Sequence, residues 1–556
     1  MRRSLPVLLV LALVQPLGAQ QAGLVAADGA IDLNRFYTAD ETNAIMAAWA
    51  RMYPELTNLY SIGQSFLGAE LMVMEVTNER TGPAEEKPAL YVDGGLHAAE
   101  LTGSSVAFHF LEHLLRGYGE DERVTRLLDT RTFYIRPKFN PDGSDLVLRT
   151  DLSLRSSVNP VDEDNDGRFD EDPANDLDGD GRILQMRYRG QDGEWVTMSE
   201  GIDDDGDGRF NEDGIGGLDL NRNYPRNWER EHLQPGAGVF PLSEPETYAA
   251  VRFLSDRPNV TGIVHGHTSG GFVYRLPSAV SPALLDERDL GLILELGEEY
   301  TASTGRPVRP SSTHPTNHRY GTLISWGYWD RGIIGWVPEY VASDSWVTDY
   351  DGDGDISEEE SRRFDREELG GRYFKEWEAF DHPQLGPVEI GGWHRKYWGQ
   401  NPPAEMLERE TEMQLHWILH LAEQSPLVTV AAPRVTPLGD GAVRVEATVT
   451  NDGYLPTHLT VRGHVGSESR DGGLADQVVA PPVVRLELDG AELVEGAART
   501  IIPHLAGAEA FTGVVSERSH TVSWVVRPAG AGATVRVVVD AGPGGVRRTE
   551  AVGIGR

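Results

Sequence analysis

The sequence PALYVDGGLH (88–97) continues into AAELTGSSVAFHFLEHLLRG (98–117), and this stretch decides the fold class. The first part is an apolar run that predicts a buried strand, and the second part has the spacing of an amphipathic helix. The apolar side chains of the helix share one face: Ala107, Phe110, Leu111, Leu114 and Leu115. A buried strand that passes into a helix of more than ten residues is typical of α/β proteins.

The same alternation of strands and helices extends on both sides of this stretch. LMVMEVTN (71–78), RTFYIRPKFNPDG (131–143) and NVTGIVHGH (259–267) are predicted strands. One helix is predicted from Asp40, and another over 404–423, where apolar residues recur every four positions. We therefore predict an α/β domain with a mostly parallel or mixed sheet.

The last part of the chain has a different pattern, with short alternating strands and no helical stripe. VRVEATVTNDG (443–453), VVRLELDG (483–490), TVSWVVRP (521–528) and ATVRVVVD (533–540) are separated by turns rich in glycine and proline. Several short alternating strands without a helical stripe indicate a β-sandwich. We predict a β-sandwich accessory domain over 427–556, with no chemistry of its own.

The composition excludes several classes of protein. The chain has 556 residues and a net charge of −37, from 50 basic and 87 acidic side chains. Such a surface repels nucleic acid and anionic lipid, so neither is an expected partner. With no cysteine, the chain has no disulfide, no thiolate metal site and no cysteine nucleophile.

The N-terminus is predicted to be an export signal. Arg2 and Arg3 precede an apolar run from Leu5 to Leu17, and small residues follow up to Ala22. This pattern is typical of a cleaved signal peptide over 1–22. No later stretch is long and apolar enough for a membrane helix. We expect an exported protein without a membrane span in the mature chain, located in the periplasm, outside the cell or at its surface.

One local motif has the character of a metal site. In His97-Ala98-Ala99-Glu100, an imidazole and a carboxylate start the predicted helix one turn apart, and such a pair can bind one zinc ion. A catalytic zinc needs a third protein ligand. His265 and His267 end the predicted strand 259–267. Because they are two residues apart, both point to the same face and periodicity does not choose between them.

Several motifs in fixed order resemble the zinc carboxypeptidase family, the family of carboxypeptidase A. They are GGLHAAE (94–100), FNPDG (139–143), DLNRNYPRNW (219–228), HTSGG (267–271) and GTLISWGYWDRGIIGWVPEY (321–340). The resemblance implies a catalytic domain over 30–424, built on a mixed eight-stranded sheet flanked by helices. It also implies a single catalytic zinc ion. In the family the second histidine precedes Ser or Thr, which implies His97, Glu100 and His267 as the zinc ligands.

The resemblance further implies roles for four polar residues. Glu339 matches the family's general acid/base, and a glutamate at that position can take a proton from the attacking water and pass it to the leaving amine. Arg155 matches an arginine that polarises the scissile carbonyl. Asn221 and Arg222 match the pair that grips the substrate's C-terminal carboxylate, a group that a guanidinium binds with two hydrogen bonds.

Two further positions concern the substrate's side chain. Tyr320 is the nearest match to the family's mobile tyrosine, although a length difference shifts the register there. Ile324 falls near the base of the family's specificity pocket. An apolar residue at that position implies a preference for apolar or aromatic C-terminal side chains.

The chain departs from the family in two acidic insertions, over 156–217 and 344–370. The first contains DEDNDG (162–167), DLDGDG (176–181) and DDDGDG (203–208), each of which starts like a calcium loop. The second contains DYDGDGDISEEE (349–360), which has the full twelve-residue calcium-loop pattern. We expect structural calcium at five acidic residues of this loop: Asp349, Asp351, Asp353, Asp355 and Glu360.

Together these features predict an exported zinc metallocarboxypeptidase that removes residues from peptide or protein C-termini. Two alternatives stay open. One is a relative with the same fold that acts on amidated or cell-wall peptides. The other is a catalytically inactive, calcium-dependent binding protein in which the β-sandwich performs the function.

Overall fold

The computed structural model describes residues 23–163, 166–279, 285–312, 319–464, 478–508 and 514–555. The predicted signal peptide, 1–22, lies outside the described residues. In the part of the chain that is described, no helix is long and apolar enough to cross a membrane.

Helices and strands alternate through the first 424 residues, and strands dominate the rest. The helices are α1 (Ala39–Met52), α2 (Leu101–Gly117), α3 (Glu122–Thr130), α4 (Pro141–Arg149), α5 (Pro245–Ser255), α6 (Glu287–Thr304), α7 (Leu323–Arg331), α8 (Glu358–Glu368), α9 (Leu407–Glu423) and α10 (Val461–His464). The strands before α9 are β1 (Thr57–Gln64), β2 (Glu70–Val76), β3 (Ala89–Gly94), β4 (Thr132–Arg136), β5 (Gln185–Arg189), β6 (Trp195–Ser199), β7 (Val260–Gly266), β8 (Phe272–Arg275), β9 (Val308–Pro310), β10 (Ile334–Glu339), β11 (Phe374–His382) and β12 (Gly386–Trp393). The strands after α9 are β13 (Val428–Val430), β14 (Arg434–Pro437), β15 (Val443–Asn451), β16 (Val483–Asp489), β17 (Ala491–Glu495), β18 (Arg499–Ile501), β19 (Ser519–Pro528), β20 (Thr534–Asp540), β21 (Val546–Arg548) and β22 (Val552–Gly553).

A mixed sheet of eight strands forms the centre of the first region, in the order β1-β2-β4-β3-β7-β10-β8-β9. The neighbours β4, β3, β7 and β10 run parallel, whereas β2 and β8 pair antiparallel with β4 and β10. The inner strand β3 is buried along its whole length, as an apolar parallel strand covered on both faces should be. The predicted α/β fold with a mixed sheet is confirmed.

Helices cover the sheet and complete its core. α2 and α9 pack against β3 and β7, and α7 packs against β10. At the join between α9 and the sheet, the rings of Trp417 and Trp336 meet edge to face with 5.4 Å between centroids, and Tyr300 of α6 adds a second such contact at 5.0 Å. Each of these three aromatic side chains is fully buried. Edge-to-face aromatic pairs contribute about 0.5–1.5 kcal/mol beyond the apolar area they bury.

Two predicted boundaries differ from the structure. The strand predicted over 131–143 ends at Arg136, and Asn140 then caps the start of α4 by accepting a hydrogen bond from the Gly143 N–H. His97 and Glu100 lie in a turn before α2 instead of in its first turn. The reason is that the N–H groups of Ala98 and Ala99 donate to the carbonyls of Arg155 and Leu154, which holds this segment out of the helix.

A second, antiparallel sheet joins the two acidic regions in the order β11-β12-β5-β6. β5 and β6 come from the first insertion, whereas β11 and β12 follow the second. Arg187 on β5 donates to Glu389 on β12 at 2.7 Å and lies over the rings of Trp195 and Trp377. The acidic segments are therefore attached to a common structured element.

The chain after Pro426 forms two five-stranded sheets. One has the order β13-β15-β19-β17, with β14 paired to β15, and the other has the order β18-β16-β20-β21, with β22 paired to β20. Alternate residues of both sheets, such as Val445, Trp524, Val484 and Val537, share one buried core. This arrangement confirms the predicted C-terminal β-sandwich architecture, while the exact domain limits stay a prediction.

Candidate active site

The carboxyl ends of β3, β7 and β10 lie side by side in the parallel part of the central sheet. In open α/β sheets this edge is where ligands bind. His97 follows β3, His267 follows β7, and Glu339 is the last residue of β10. His267 is joined to Glu339 by a bridge in which the His267 N–H donates to the Pro338 carbonyl at 2.8 Å. Residues distant in sequence are thus placed at one edge of the sheet.

Three buried side chains converge at this edge. His97 Nδ1 lies 2.8 Å from Glu100 Oε1, and His267 Nδ1 lies 2.8 Å from Glu100 Oε2. The two Nδ1 atoms are 3.0 Å apart. Candidate ligand atoms of all three residues lie within 4.8 Å of one another. Two imidazole nitrogens and a carboxylate form the kind of donor set that catalytic zinc sites use.

A fourth residue, Asp219, orients the imidazole of His97. His97 Nε2 lies 3.0 Å from Asp219 Oδ1, and the tautomer with its proton on Nε2 donates that proton to the carboxylate. Nδ1 then presents its lone pair toward Glu100 and His267. A carboxylate that orients a histidine in this way is the usual outer partner of a zinc-binding imidazole. The residues present therefore fit a zinc ion.

The charges of Glu100 and His267 also suit a cation. Burial opposes ionisation of Glu100, but the adjacent imidazoles of His97 and His267 outweigh it and lower the pKa of the carboxyl well below its usual value. Burial lowers the pKa of His267 to about 3, against the opposing effect of Glu100. An ionised carboxylate and a neutral imidazole are the forms that bind metal.

His265 occupies a different position from His267. It lies inside β7, directly opposite Asp93 of β3, and its Nδ1 is 2.6 Å from Asp93 Oδ1. The His265 ring also contacts the His267 ring edge to face, with 4.5 Å between centroids. The geometry thus brings His267, but not His265, to Glu100.

Glu339 extends into the space beside the three converging residues. Burial and the nearby Glu100 carboxylate raise the pKa of Glu339 well above its usual value, and the cation Arg155 acts in the opposite direction. A bound metal ion would also act in that opposite direction, because its charge stabilises a neighbouring carboxylate. A carboxyl group in such a setting is suited to exchange protons.

Two arginines and an amide surround the same space. Arg155 Nε donates to Asp219 Oδ2 at 3.1 Å, and Arg155 Nη1 donates to Glu100 Oε1 at 3.3 Å. Asn221 accepts a hydrogen bond from the Leu323 N–H at 3.1 Å, which fixes its amide. Arg222 Nη1 donates to the Asn221 carbonyl at 2.8 Å. Asn221 and Arg222 belong to a short 3₁₀ turn, Leu220–Arg222, which Asp219 caps.

Most of the site residues that the sequence predicted line one pocket. Its walls include His97, Arg155, Asn221, Arg222, His267, Ile324 and Glu339. Tyr320 is not among the described residues that line this pocket; its backbone N–H donates to the Gln234 side chain at 3.3 Å. The structure therefore brings the predicted catalytic and binding residues together, with the exception of Tyr320.

Sequence reasoning missed three residues of the site. Asp219 contacts His97 and Arg155, and its place directly before Leu220-Asn221-Arg222 was a signal that could have revealed it. Arg319 and Tyr274 line the pocket as well. For those two, no motif or periodicity in the sequence points to the site.

The acidic loop of the second insertion is partly organised for a cation. Carboxylate oxygens of Asp349, Asp351 and Glu360 lie within 4.8 Å of one another, whereas Asp353 and Asp355 lie on the exposed part of the loop outside this set. Glu360 also caps α8, because it and Ser357 accept each other's backbone N–H groups. The first insertion has similar groups, of which one consists of Asp203, Asp205 and Asp207.

Comparison with known proteins identifies the class to which this fold and site belong. Residues 42–283 match the family model described as zinc carboxypeptidase, and residues 427–552 match that of a domain of unknown function, DUF8731. Residues 42–283, in the α/β part of the chain, therefore form a domain of the zinc carboxypeptidase family.

Two relatives that are more than 30% identical match over shorter ranges. Carboxypeptidase E of Caenorhabditis elegans is 34% identical over 120 residues, which are 20% of this chain and 25% of the relative. The inactive metallocarboxypeptidase ECM14 of Saccharomyces cerevisiae is 33% identical over 93 residues, 17% of this chain and 22% of the relative. The match thus spans a quarter or less of each of these relatives. The crystal structure of thrombin activatable fibrinolysis inhibitor is similar with a TM-score of 0.46 and 17% identity, over 70% of this chain and 74% of that one.

Proposed function

We propose that this protein is an exported zinc metallocarboxypeptidase that hydrolyses the last peptide bond of its substrates. The observation that carries the proposal is the convergence of His97, Glu100 and His267 beside Glu339, at the carboxyl edge of the sheet. Export rests on the signal pattern of residues 1–22.

The proposed mechanism assigns one task to each polar group. A bound zinc ion would supply Lewis-acid polarisation and make a water molecule acidic. Glu339 takes a proton from the attacking water and delivers it to the leaving amine. Arg155 stabilises the negative charge that develops on the scissile carbonyl oxygen, since a fixed cation next to developing charge lowers the barrier.

Asn221 and Arg222 are assigned to the substrate's terminal carboxylate. Asn221 Nδ2 lies 3.4 Å from His267 Nε2, so the pair stands next to the proposed metal ligands, where the end of a peptide must lie for its last bond to be cut. A guanidinium binds a carboxylate with two parallel hydrogen bonds. The pair would thereby restrict cleavage to chain ends.

The decisive experiment is hydrolysis of a mixed peptide library by the full-length protein, followed by mass spectrometry. The proposal expects loss of single residues from C-termini and inhibition by a zinc chelator. Cleavage within chains, or no cleavage despite one bound zinc per chain, would contradict it. The second outcome would favour the inactive binding protein, a reading that the inactive yeast relative keeps open.

The assignment of Asn221 and Arg222 to the substrate's terminal carboxylate makes a separate prediction about Arg222. Arg222→Ala is expected to raise KM for peptides with a free C-terminus by about tenfold or more, because a charge-assisted bidentate contact is lost, and to erode the preference over C-terminal amides. Steady-state kinetics on matched acid and amide peptides measures both effects. If the wild-type enzyme cleaves amides and acids equally well, the assignment is wrong and the reading as an enzyme for amidated peptides gains support.

We also propose structural calcium at the loop 349–360. The loop holds Asp349, Asp351 and Glu360 close together, and without a cation their negative charges repel. Calcium takes oxygen ligands and removes that repulsion. The acidic runs of the first insertion, with their own carboxylate groups, are the other candidates.

Calcium is therefore expected to raise the melting temperature of the protein. Binding to the folded state alone stabilises it by about 2.7 kcal/mol when free calcium is a hundredfold above Kd. Asp349→Ala combined with Glu360→Ala should remove part of the difference between calcium and a calcium-selective chelator. Because Glu360 also caps α8, Ser357→Ala serves as the control: it removes the cap but should keep the calcium response. Identical melting with calcium and with chelator would show that the acidic runs are only solvated charge.

The expected preference for apolar C-terminal side chains rests on Ile324. Ile324 does line the pocket, with Val337 as a second apolar wall residue. The preference for apolar C-terminal side chains therefore stays part of the proposal, although the remaining walls near Ile324 and Val337 are polar.

A further inference from the structure

Arg319 is a charged wall of the active-site pocket that the proposed mechanism does not use. Its Nη2 donates to the Tyr274 hydroxyl at 3.2 Å, and its Nη1 donates to the Ser311 carbonyl. The guanidinium also lies 4.6 Å from the centroid of the Tyr274 ring. These contacts hold the side chain in one orientation at the pocket wall, together with Arg222 and Glu339.

Among the described residues, no carboxylate lies within salt-bridge distance of Arg319, and Glu339 of the same pocket interacts with it only at longer range. This holds although the chain carries a net charge of −37. The other two arginines of the pocket are matched: Arg155 pairs with Asp219 and Glu100, and Arg222 lies 3.9 Å from Asp219. A guanidinium that has no salt-bridge partner can use its N–H donors to bind an anionic ligand.

The walls around Arg319 are polar. Tyr274, Ser278, Ser311 and Thr322 contribute hydroxyl groups to the lining, and the Thr322 hydroxyl donates to Ser278 Oγ at 3.4 Å. An apolar side chain in this space would cover the Arg319 guanidinium without accepting a hydrogen bond from it. A carboxylate accepts charge-assisted hydrogen bonds from a guanidinium.

Besides Arg155, which is assigned to the scissile carbonyl, the pocket has two cationic positions with different surroundings. Arg222 is tied to Asn221, beside His267, whereas Arg319 is tied to Tyr274 of β8 and to Ser311 just after β9. A C-terminal glutamate or aspartate carries two carboxylates, one on its α-carbon and one on its side chain. Arg222 and Arg319, at separate walls of the pocket, provide one cation for each of these two carboxylates.

We propose that Arg319 recognises the side-chain carboxylate of a substrate whose last residue is Glu or Asp. The inference rests on the proposed function, since it names the substrate class of the same site. Asn221 and Arg222 hold the α-carboxylate, Arg319 holds the side-chain carboxylate, and Ile324 contacts the methylene carbons between them. The apolar preference that Ile324 suggests is the competing expectation, and the peptides below decide between the two.

The test uses the full-length zinc-loaded protein and peptides that differ only in the last residue, Glu, Gln, Leu, Phe or Lys. Glu and Gln have nearly the same shape, so their ratio of kcat/KM measures the side-chain charge. The expected ratio is about 10- to 100-fold in favour of Glu, the range for a hydrogen bond to a charged group. Arg319→Gln should reduce the ratio of Glu to Gln to near one.

A control removes another arginine charge close by. Arg309 on β9 is exposed and does not line the pocket, and Arg309→Gln should keep the preference for Glu. Faster hydrolysis of Leu or Phe than of Glu by the wild-type protein would overturn the proposal. An equal loss for all five peptides in Arg319→Gln would overturn it too, because Arg319 would then bind the α-carboxylate or support the pocket.

A binding measurement separates this proposal from the proposed function. Calorimetry with the Glu339→Gln variant measures peptide binding without turnover. If the wild type hydrolyses no peptide but binding favours Glu over Gln in a manner that requires Arg319, the recognition stands and the proposed function fails. If peptides are hydrolysed without an Arg319-dependent preference, the proposed function stands and the recognition fails. If neither binding nor hydrolysis occurs, both fail.

Discussion

Glu339→Gln is expected to lower kcat by about 10²- to 10⁴-fold, the usual contribution of a general acid/base group. Glutamine has nearly the same shape as glutamate and loses only the ability to exchange the proton. The zinc content and the affinity for substrate should therefore stay close to those of the wild type. Stopped assays of peptide hydrolysis, metal analysis and calorimetry measure the three quantities separately.

The control for this variant is Glu495→Gln, which removes a carboxylate from the exposed strand β17 and should leave kcat unchanged. A Glu339→Gln protein that keeps more than a tenth of the wild-type kcat would show that another group moves the proton. A variant that instead loses zinc would place Glu339 among the metal ligands.

His267→Ala is expected to abolish retention of zinc, because it removes one of three converging ligands. His265→Ala is expected to leave the metal content largely intact, since His265 is hydrogen-bonded to Asp93 and does not reach Glu100. Metal analysis after dialysis compares the two variants directly. Activity should follow the metal content in both.

The His265 variant needs a control for stability, because its loss leaves the buried Asp93 carboxylate without its partner. His265→Asn retains a hydrogen-bond donor and is expected to restore part of the melting temperature without changing the zinc content. The opposite result, zinc lost from the His265 variants and kept in His267→Ala, would reverse the assignment of the third ligand.

The local patterns of the sequence predicted the fold class and two of the three proposed zinc ligands. An apolar run followed by a helical stripe required only neighbouring residues, so β3 and α2 were recognisable from 88–117. The spacing of His97 and Glu100 is likewise a local property. The remaining predicted site residues came from the order of motifs that resembles a family, and the residues with distinct motifs, such as Asn221 and Arg222, do line the pocket.

The tertiary structure alone decided the contacts between distant segments. His265 and His267 share a face by periodicity, but the strand register places His265 against Asp93 and leaves His267, beyond the strand end, to reach Glu100. The pairing of β5 with β12, and the approach of Arg319 to the pocket, bring together segments separated by long loops. Hydrophobic periodicity specifies which face of an element is buried, but the partner of a charged side chain depends on how the elements pack, and only the folded chain supplies that information.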